Sequence, residues 1–523
     1  MNYFNFNRQY IVWITVVTLS LSILIFTVPN FLILNLLGTD DSFYYFTIAR
    51  NLAFGNGVSF DGITVTNGFQ PLWLILITPI FYLAKFDLYL PLRLTILLSS
   101  LIFSALLFVL MKTLQDFSIS KNARWMAIFL FMLSPSTILL NPDLNTFLWL
   151  SGTEFVLTAL ILSLLFKLSF SFKGDNYSEY LLLGSLSGLA LLSRLDSILI
   201  IFSFPLYLIF ISKKFKLSVK NIFFYGLPPL IIVLPYLFYN YLNFSEFVPV
   251  SGQTKAYWND IGNTVFGNLF DNIFNLIKAF IPSLWNQKML LSWLLIFKSL
   301  AVLITYTLLF FWVVKKYVTK SAVYVSLIFF FSFSLLHFSF YMKSFGLIET
   351  KYWYWGYEYI ISFFLVAHLI DDLWNRFIIY KLKGKYFFIF CFCLSPLLFA
   401  FDLSKIIKSS EHYYYLDRKV FLETTTKSTD IIGTPNAGAL GYLTDRTIVN
   451  IDGLVNSYEY LQAQKDGTDL IFLRKIGVNK FFFSKGSLLY EPYKTTYRNQ
   501  LEIINVWKNK EGKQIHELFN LKE

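Results

Sequence analysis

Apolar runs of the length that crosses about 30 Å of hydrocarbon, roughly 17 to 25 residues or slightly fewer, recur along this chain about eleven times. The first occupies 11–34 and lacks the small-residue cleavage site of a secretory signal, which predicts a retained anchor. The pattern changes abruptly after the last run, near 387–401. Beyond it charge rises, and short strand-like runs, Thr447-Ile448-Val449-Asn450 and Lys480-Phe481-Phe482-Phe483, alternate with helical stretches such as 457–464. The pattern predicts an α-helical polytopic membrane protein over 1–403, with a small soluble α/β domain over 404–523.

Between the first two full spans lies a patterned stretch, 35–90, that reads as an external loop. Tyr45, Ile48, Ala49 and Leu52 fall at i, i+3, i+4 and i+7, one apolar stripe of a helix. Asp40 or Asp41 is placed to cap its start, and Gly55-Asn56-Gly57 to end it. Asp61-Gly62, flanked by Val58-Ser59-Phe60 and Ile63-Thr64-Val65, predicts a two-residue hairpin turn. Pro71 then opens an apolar run to Ala84 that is short for a span and reads as a helix in the outer interface.

Composition agrees with a membrane class: 56% of residues are hydrophobic and 15% charged, with a mean hydropathy of +0.56, which excludes an ordinary soluble globule. The formal net charge of +12 collects in loops at 112–124, 167–173, 213–220, 315–320 and 376–385, so no nucleic-acid partner is needed to explain it. If these loops are cytoplasmic, the N-terminus is cytoplasmic. The C-terminal domain and the residues Asp40, Asp41, Arg194, Asp196, Lys255 and Lys351 then face the outside. Two cysteines, Cys391 and Cys393, lie within one apolar run and have no metal-ligand spacing.

The adjacent Asp40 and Asp41 are the leading chemical candidates. A carboxylate at the membrane edge can take a proton from an attacking hydroxyl, and its neighbour can raise its pKa, share its hydrogen bonds or help hold a divalent cation. Helix capping is the bland alternative and accounts more easily for one aspartate than for two. The sequence leaves these open.

Gly38-Thr39-Asp40-Asp41, the aromatic-rich helix through Arg50-Asn51, and Thr66-Asn67-Gly68-Phe69-Gln70-Pro71-Leu72-Trp73 together resemble the first external loop of the GT-C glycosyltransferases. The resemblance is to the branch with the protein O-mannosyltransferases and the lipid A aminoarabinose transferases, and it implies a bacterial inner-membrane enzyme of GT-C type. It also implies a polyprenyl-phosphate-linked sugar as donor, a glycan, lipid or protein as acceptor, and an acidic pair at the active site, with Asp40 as base and Asp41 as its companion. The segment through Ser193-Arg194-Leu195-Asp196 is similar to one whose basic residue approaches the lipid phosphate, a group well suited to a bidentate arginine. An internal Arg194 to Asp196 pair is the competing reading.

Glu154, near the start of a span, is costly there unless it faces a cavity. Lys255, in the external loop after 243, has the charge for a phosphate, and Lys351 and Tyr352, in an aromatic cluster, have the chemistry to line a sugar site. The run Gly433-Thr434-Pro435-Asn436-Ala437-Gly438-Ala439-Leu440-Gly441 looks like a strand-to-helix phosphate cradle without its lysine. The sequence therefore points to an inverting transferase. A transporter or flippase of a lipid-linked sugar or another anion is the runner-up, and a noncatalytic assembly subunit is a third reading.

Overall fold

A computed structural model describes residues 8–37, 40–132, 148–199, 218–262, 356–374, 411–489, 493–508, 512 and 514–522. The first apolar run is divided between α1 (Arg8–Thr27) and α2 (Asn30–Leu37), where the sequence predicts one anchor. The break falls at Pro29, which has no N–H to continue the ladder. The next helix, α3 (Asp40–Phe54), ends as its pattern predicts, at Gly55 with a φ of +86°.

The loop after it departs from the predicted hairpin. Ser59 and Val65 form an isolated bridge. The Asp61 carboxylate accepts from the backbone of Ile63 and Thr64 at 2.8 and 2.7 Å, so a side chain organises this turn instead of a strand ladder. Helix α4 (Pro71–Leu83) follows with proline in its first turn, as the sequence predicts.

Among the described residues two helices have the length and apolar character to cross a membrane. They are α5 (Leu90–Asp116), mostly buried inside the protein, and, farther on, α9 (Val219–Phe244), whose Ile222, Phe223, Leu230, Ile231 and Phe238 face outward. Between them come α6 (Lys121–Met132), α7 (Phe155–Ser171) and α8 (Tyr177–Ser193), and beyond them α10 (Val250–Gly262) and α11 (Gly356–Leu373). Helix α9 lies along α8 through two glycines one turn apart. A Cβ on Gly184 would sit 2.2 Å from the Tyr225 carbonyl oxygen, and one on Gly188 would sit 2.9 Å from the Pro229 Cα.

After α12 (Glu411–Thr425) the chain builds a five-stranded mixed sheet of order β2-β1-β3-β5-β4. Strands β1 (Ile431–Thr434) and β2 (Thr447–Asn450) are parallel and joined through α13 (Gly438–Leu443). Helices α14 (Tyr458–Lys465) and α15 (Asp469–Lys475) lead to β3 (Val478–Ser484), which is parallel to β1. The short α16 (Tyr493–Thr496) precedes β4 (Leu501–Lys508) and β5 (Gln514–Leu521), which close the sheet antiparallel.

Alternation along β3 divides three phenylalanines between two cores. Phe481 and Phe483 pack under α14 and α15, whereas Phe482 joins the core that contains Leu37, Phe43 and Phe46 of the helical part. On that face Phe421 of α12 lies 5.8 Å from Phe482, and α12 and α13 in turn meet α2 and α3.

Gly184→Val should force α8 and α9 apart, an overpacking change that costs roughly 1–3 kcal/mol. It should lower the unfolding temperature of the detergent-solubilised protein. An unchanged temperature would contradict the close approach.

Candidate active site

Helix α3 advances by about 100° per residue, so adjacent aspartates cannot share a face. Asp40 falls on the side that meets α13. Its Oδ2 accepts the Gly438 N–H at 2.9 Å and its Oδ1 the Ala439 N–H at 2.8 Å. Ten residues on, Arg50 donates from Nη1 to the Tyr442 carbonyl at 2.6 Å and from Nη2 to the Gly441 carbonyl at 3.2 Å. Asp40 therefore caps a helix of the C-terminal domain. The cradle-like run Gly433 to Gly441 supplies N–H groups to this internal carboxylate, which is why it resembles an anion site.

Asp41 falls on the other face and lines a cavity of about 70 Å³ together with Tyr44, Tyr45, Gln70, Glu154, Arg194 and Lys255. Residues from six separate segments converge there, the last at 454–455. Helix α8 stops at Ser193, Arg194 is extended (φ −154°), and a 3-10 turn over Leu195–Ser197 turns Asp196 back. Arg194 pairs with Glu154 at 2.7 Å and with Asp196 at 2.9 Å, all three buried.

Tyr45 donates to Glu154 at 2.9 Å, and Gln70 accepts the Leu195 N–H at 3.2 Å through its Oε1. Burial and the Glu154 charge hold the Tyr45 hydroxyl well above its ordinary value, so it stays a donor. A buried arginine with two carboxylate partners avoids the large cost of an unpaired charge, and the same pairing offsets its attraction for another anion.

The C-terminal domain supplies Leu454 and Val455 to the cavity wall. Their loop is tied to the helical part at several points: Tyr44 donates to Asp452 at 3.3 Å, Thr66 to the Asn456 carbonyl at 2.8 Å, and Thr254 to the Gly453 carbonyl at 3.1 Å. A Cβ on Gly68 would lie 1.9 Å from the Leu454 carbonyl oxygen, which gives the glycine of the Asn67-Gly68-Phe69 motif its physical reason.

Of the residues singled out in the sequence, the structure brings Asp41, Glu154, Arg194 and Lys255 to one cavity, with Asp196 behind Arg194. Asp40 is directed to α13, and Lys351 and Tyr352 lie outside the described residues, as do Cys391 and Cys393. Both Asp40 oxygens accept N–H bonds from α13, whereas Asp41 lines the cavity. Among the described residues no group of three or more His, Cys, Asp or Glu side chains is placed to hold a metal ion. Tyr44, Leu454 and Val455 were not legible as site residues, because their place depends on contacts some 400 residues apart in the chain.

Comparison with known proteins reaches the fold and stops there. No protein family description and no curated protein matches the sequence. Among solved structures the chain is similar to ArnT from Cupriavidus metallidurans in the apo state, at 11% identity and a TM-score of 0.52 over 98% of both chains. It is also similar to the archaeal oligosaccharyltransferase AglB from Archaeoglobus fulgidus, solved with an inhibitory peptide and a dolichol-phosphate. That match has 12% identity and a TM-score of 0.44 over 90% of this chain and 69% of that one. The likeness to ArnT is one of fold, and it agrees with the fold that the sequence resemblance implies.

Burial pushes the Asp40 carboxyl up to about 7, against the pull of the Ala439 N–H, Arg418 and the Gly438 N–H, with Asp41 adding a smaller push. The folded chain therefore holds a proton that the unfolded chain releases near the ordinary aspartate value. The linked stability is complete below that value and is lost as pH rises through about 7. Asp40→Asn, which cannot titrate, should lose less unfolding temperature than the wild type between pH 4.5 and 7.5 in a thermal melt. Parallel curves would contradict this assignment.

Proposed function

We propose that this chain is an inverting glycosyltransferase, embedded in the bacterial inner membrane, that moves a sugar from a polyprenyl-phosphate donor to a hydroxyl of an extracytoplasmic glycan, lipid or protein. The observation that carries the reading is the cavity in which the Asp41 face of α3 meets Glu154, Arg194 and Lys255 within an ArnT fold. Acidic and basic groups in one small space suit a reaction that needs a base at one end and an anion stabiliser at the other.

Asp41 is the base. It takes the proton of the acceptor hydroxyl as the oxygen bonds to the anomeric carbon. The bond from that carbon to the phosphate oxygen breaks, its electron pair leaves with polyprenyl phosphate, and the configuration inverts in a single displacement. Lys255, on α10, faces the charge that develops on the phosphate. Arg194, balanced by Glu154 and Asp196, acts mainly to fix the wall and to keep Glu154 oriented toward Tyr45. The division of labour in the acidic pair is thus the reverse of that implied by resemblance: Asp41 works in the cavity, and Asp40 holds the neighbouring domain. The helical part over 1–403 houses the chemistry, with the C-terminal part over 404–523 outside the membrane.

In proteoliposomes given a labelled lipid-linked sugar and envelope acceptors, Asp41→Asn should lower turnover by about 10²- to 10⁴-fold, the usual contribution of a general base. Binding of polyprenyl phosphate should persist. Lys255→Ala should weaken that binding. Near-normal turnover by Asp41→Asn would overturn the assignment of the base, and label that crosses the bilayer without joining an acceptor would favour a flippase.

A further inference from the structure

We propose that the loop over 450–456 of the C-terminal domain is a specificity-determining wall of the acceptor cavity, and that Asp40 and Arg50 are the positioning residues that seat it. The inference rests on the transferase reading for the word acceptor; the seating itself rests on geometry alone.

Helix α13 is held at both ends by one helix, α3. A carboxylate meets its first free N–H groups at Gly438 and Ala439, and a guanidinium meets carbonyls of its last turn at Gly441 and Tyr442. The helix's free N–H groups thus meet acceptor oxygens and its free carbonyls meet N–H donors, the pairing each end requires. Between these two points Phe43 and Phe46 pack against Tyr442 at ring separations of 5.8 and 6.2 Å, and Arg50 lies over the Tyr442 ring at 4.9 Å.

The approach is close enough to demand glycine. A Cβ on Gly438 would fall 2.2 Å from the Asp40 carbonyl oxygen, and one on Gly441 would fall 2.5 Å from the Phe60 ring. Asp40 and Arg50 are thus two ends of a continuous clamp on α13.

The clamp reaches the cavity through short, hydrogen-bonded links. Asn436, just before α13, donates its N–H to Asp452 at 3.0 Å, and the Ile451 N–H donates to the Thr434 carbonyl at 3.2 Å. Within the loop, Asn450 accepts the Gly453 N–H at 2.9 Å, Asp452 accepts the Leu454 N–H at 3.1 Å, and Asn456 donates to the Asn450 carbonyl at 2.7 Å. The loop is therefore internally braced and moves with β1, α13 and β2.

Its residues Leu454 and Val455 are apolar and face a cavity whose charges come from other segments, so they select by shape and by contact with an apolar face of the acceptor. A sugar or lipid hydroxyl carried on such a face fits this wall. The position of α13 on α3 fixes how far that wall stands from Asp41.

Hydrogen exchange read by mass spectrometry on the full-length protein tests the seating without any substrate. Asp40→Ala and Arg50→Ala should each speed exchange over 438–443 and 450–456 about tenfold, while 155–171 keeps its native protection. Asp40→Asn, which retains one accepting oxygen, and Arg50→Lys should give intermediate rates; a general loss of structure would spare no segment and show no such rescue.

In a Val455→Cys background with Cys391 and Cys393 replaced by serine, the same substitutions should speed labelling by N-ethylmaleimide. If Asp40→Ala does not fold, Gly68→Ala offers an independent opening of the wall and should raise the same labelling rate. Native exchange over 450–456 in both alanine variants would overturn the proposal. So would loss of turnover in Asp40→Asn with exchange unchanged, which would make Asp40 the base. Faster exchange in the variants of a protein that transfers no sugar would sustain the seating and defeat the transferase reading.

Discussion

The contact between α3 and α13 is the constraint on which the arrangement around the cavity depends. Helix α3 follows α2 closely in the chain and buries an aromatic face that includes Phe43 and Phe46. Helix α13 is too short to be stable on its own. Its free N–H and carbonyl groups are paired by Asp40 and Arg50, and the two elements complete each other.

From that contact follows a division among neighbours in sequence. The turn per residue of an α-helix sends Asp40 and Asp41 to separate surfaces, one a domain contact and the other the cavity. One turn later Tyr45 donates to Glu154 in the cavity, whereas Tyr44 lines the cavity and also donates to Asp452 of the neighbouring domain. Two pairs that look redundant in the sequence are a consequence of one helix facing two partners.

The charge cluster behind the cavity obeys a different physics. Arg194, Glu154 and Asp196 are buried in a region largely built of apolar side chains, where an unpaired charge would be strongly unfavourable. Their mutual pairing holds the ends of α7 and α8 at a fixed separation, and the broken helix at Arg194 is the backbone consequence. Lys255 arrives from α10, on a separate segment, so the cationic side of the cavity is assembled from two elements.

The sequence by itself determined the membrane class, the helical part followed by an α/β tail, the helix begun by the acidic pair and ended by Gly55, and the proline-led α4. Each of these is written in local periodicity, in turn residues or in hydropathy, all of which act within a few turns of chain. It also marked Asp40 and Asp41 as an adjacent acidic pair, Glu154 by the cost of charge near the start of a span, Arg194 by resemblance, and Lys255 by its charge in an external loop.

Tertiary structure alone decided which aspartate enters the cavity, that Arg194 is held by two carboxylates, that Gly433 to Gly441 receives an internal anion, and that Leu454 and Val455 belong to the wall. The domain contacts rest on pairings across some 400 residues and the Arg194–Glu154 pair on one across 40, where the energy of a contact depends on the partner brought opposite it, and no local pattern carries that information.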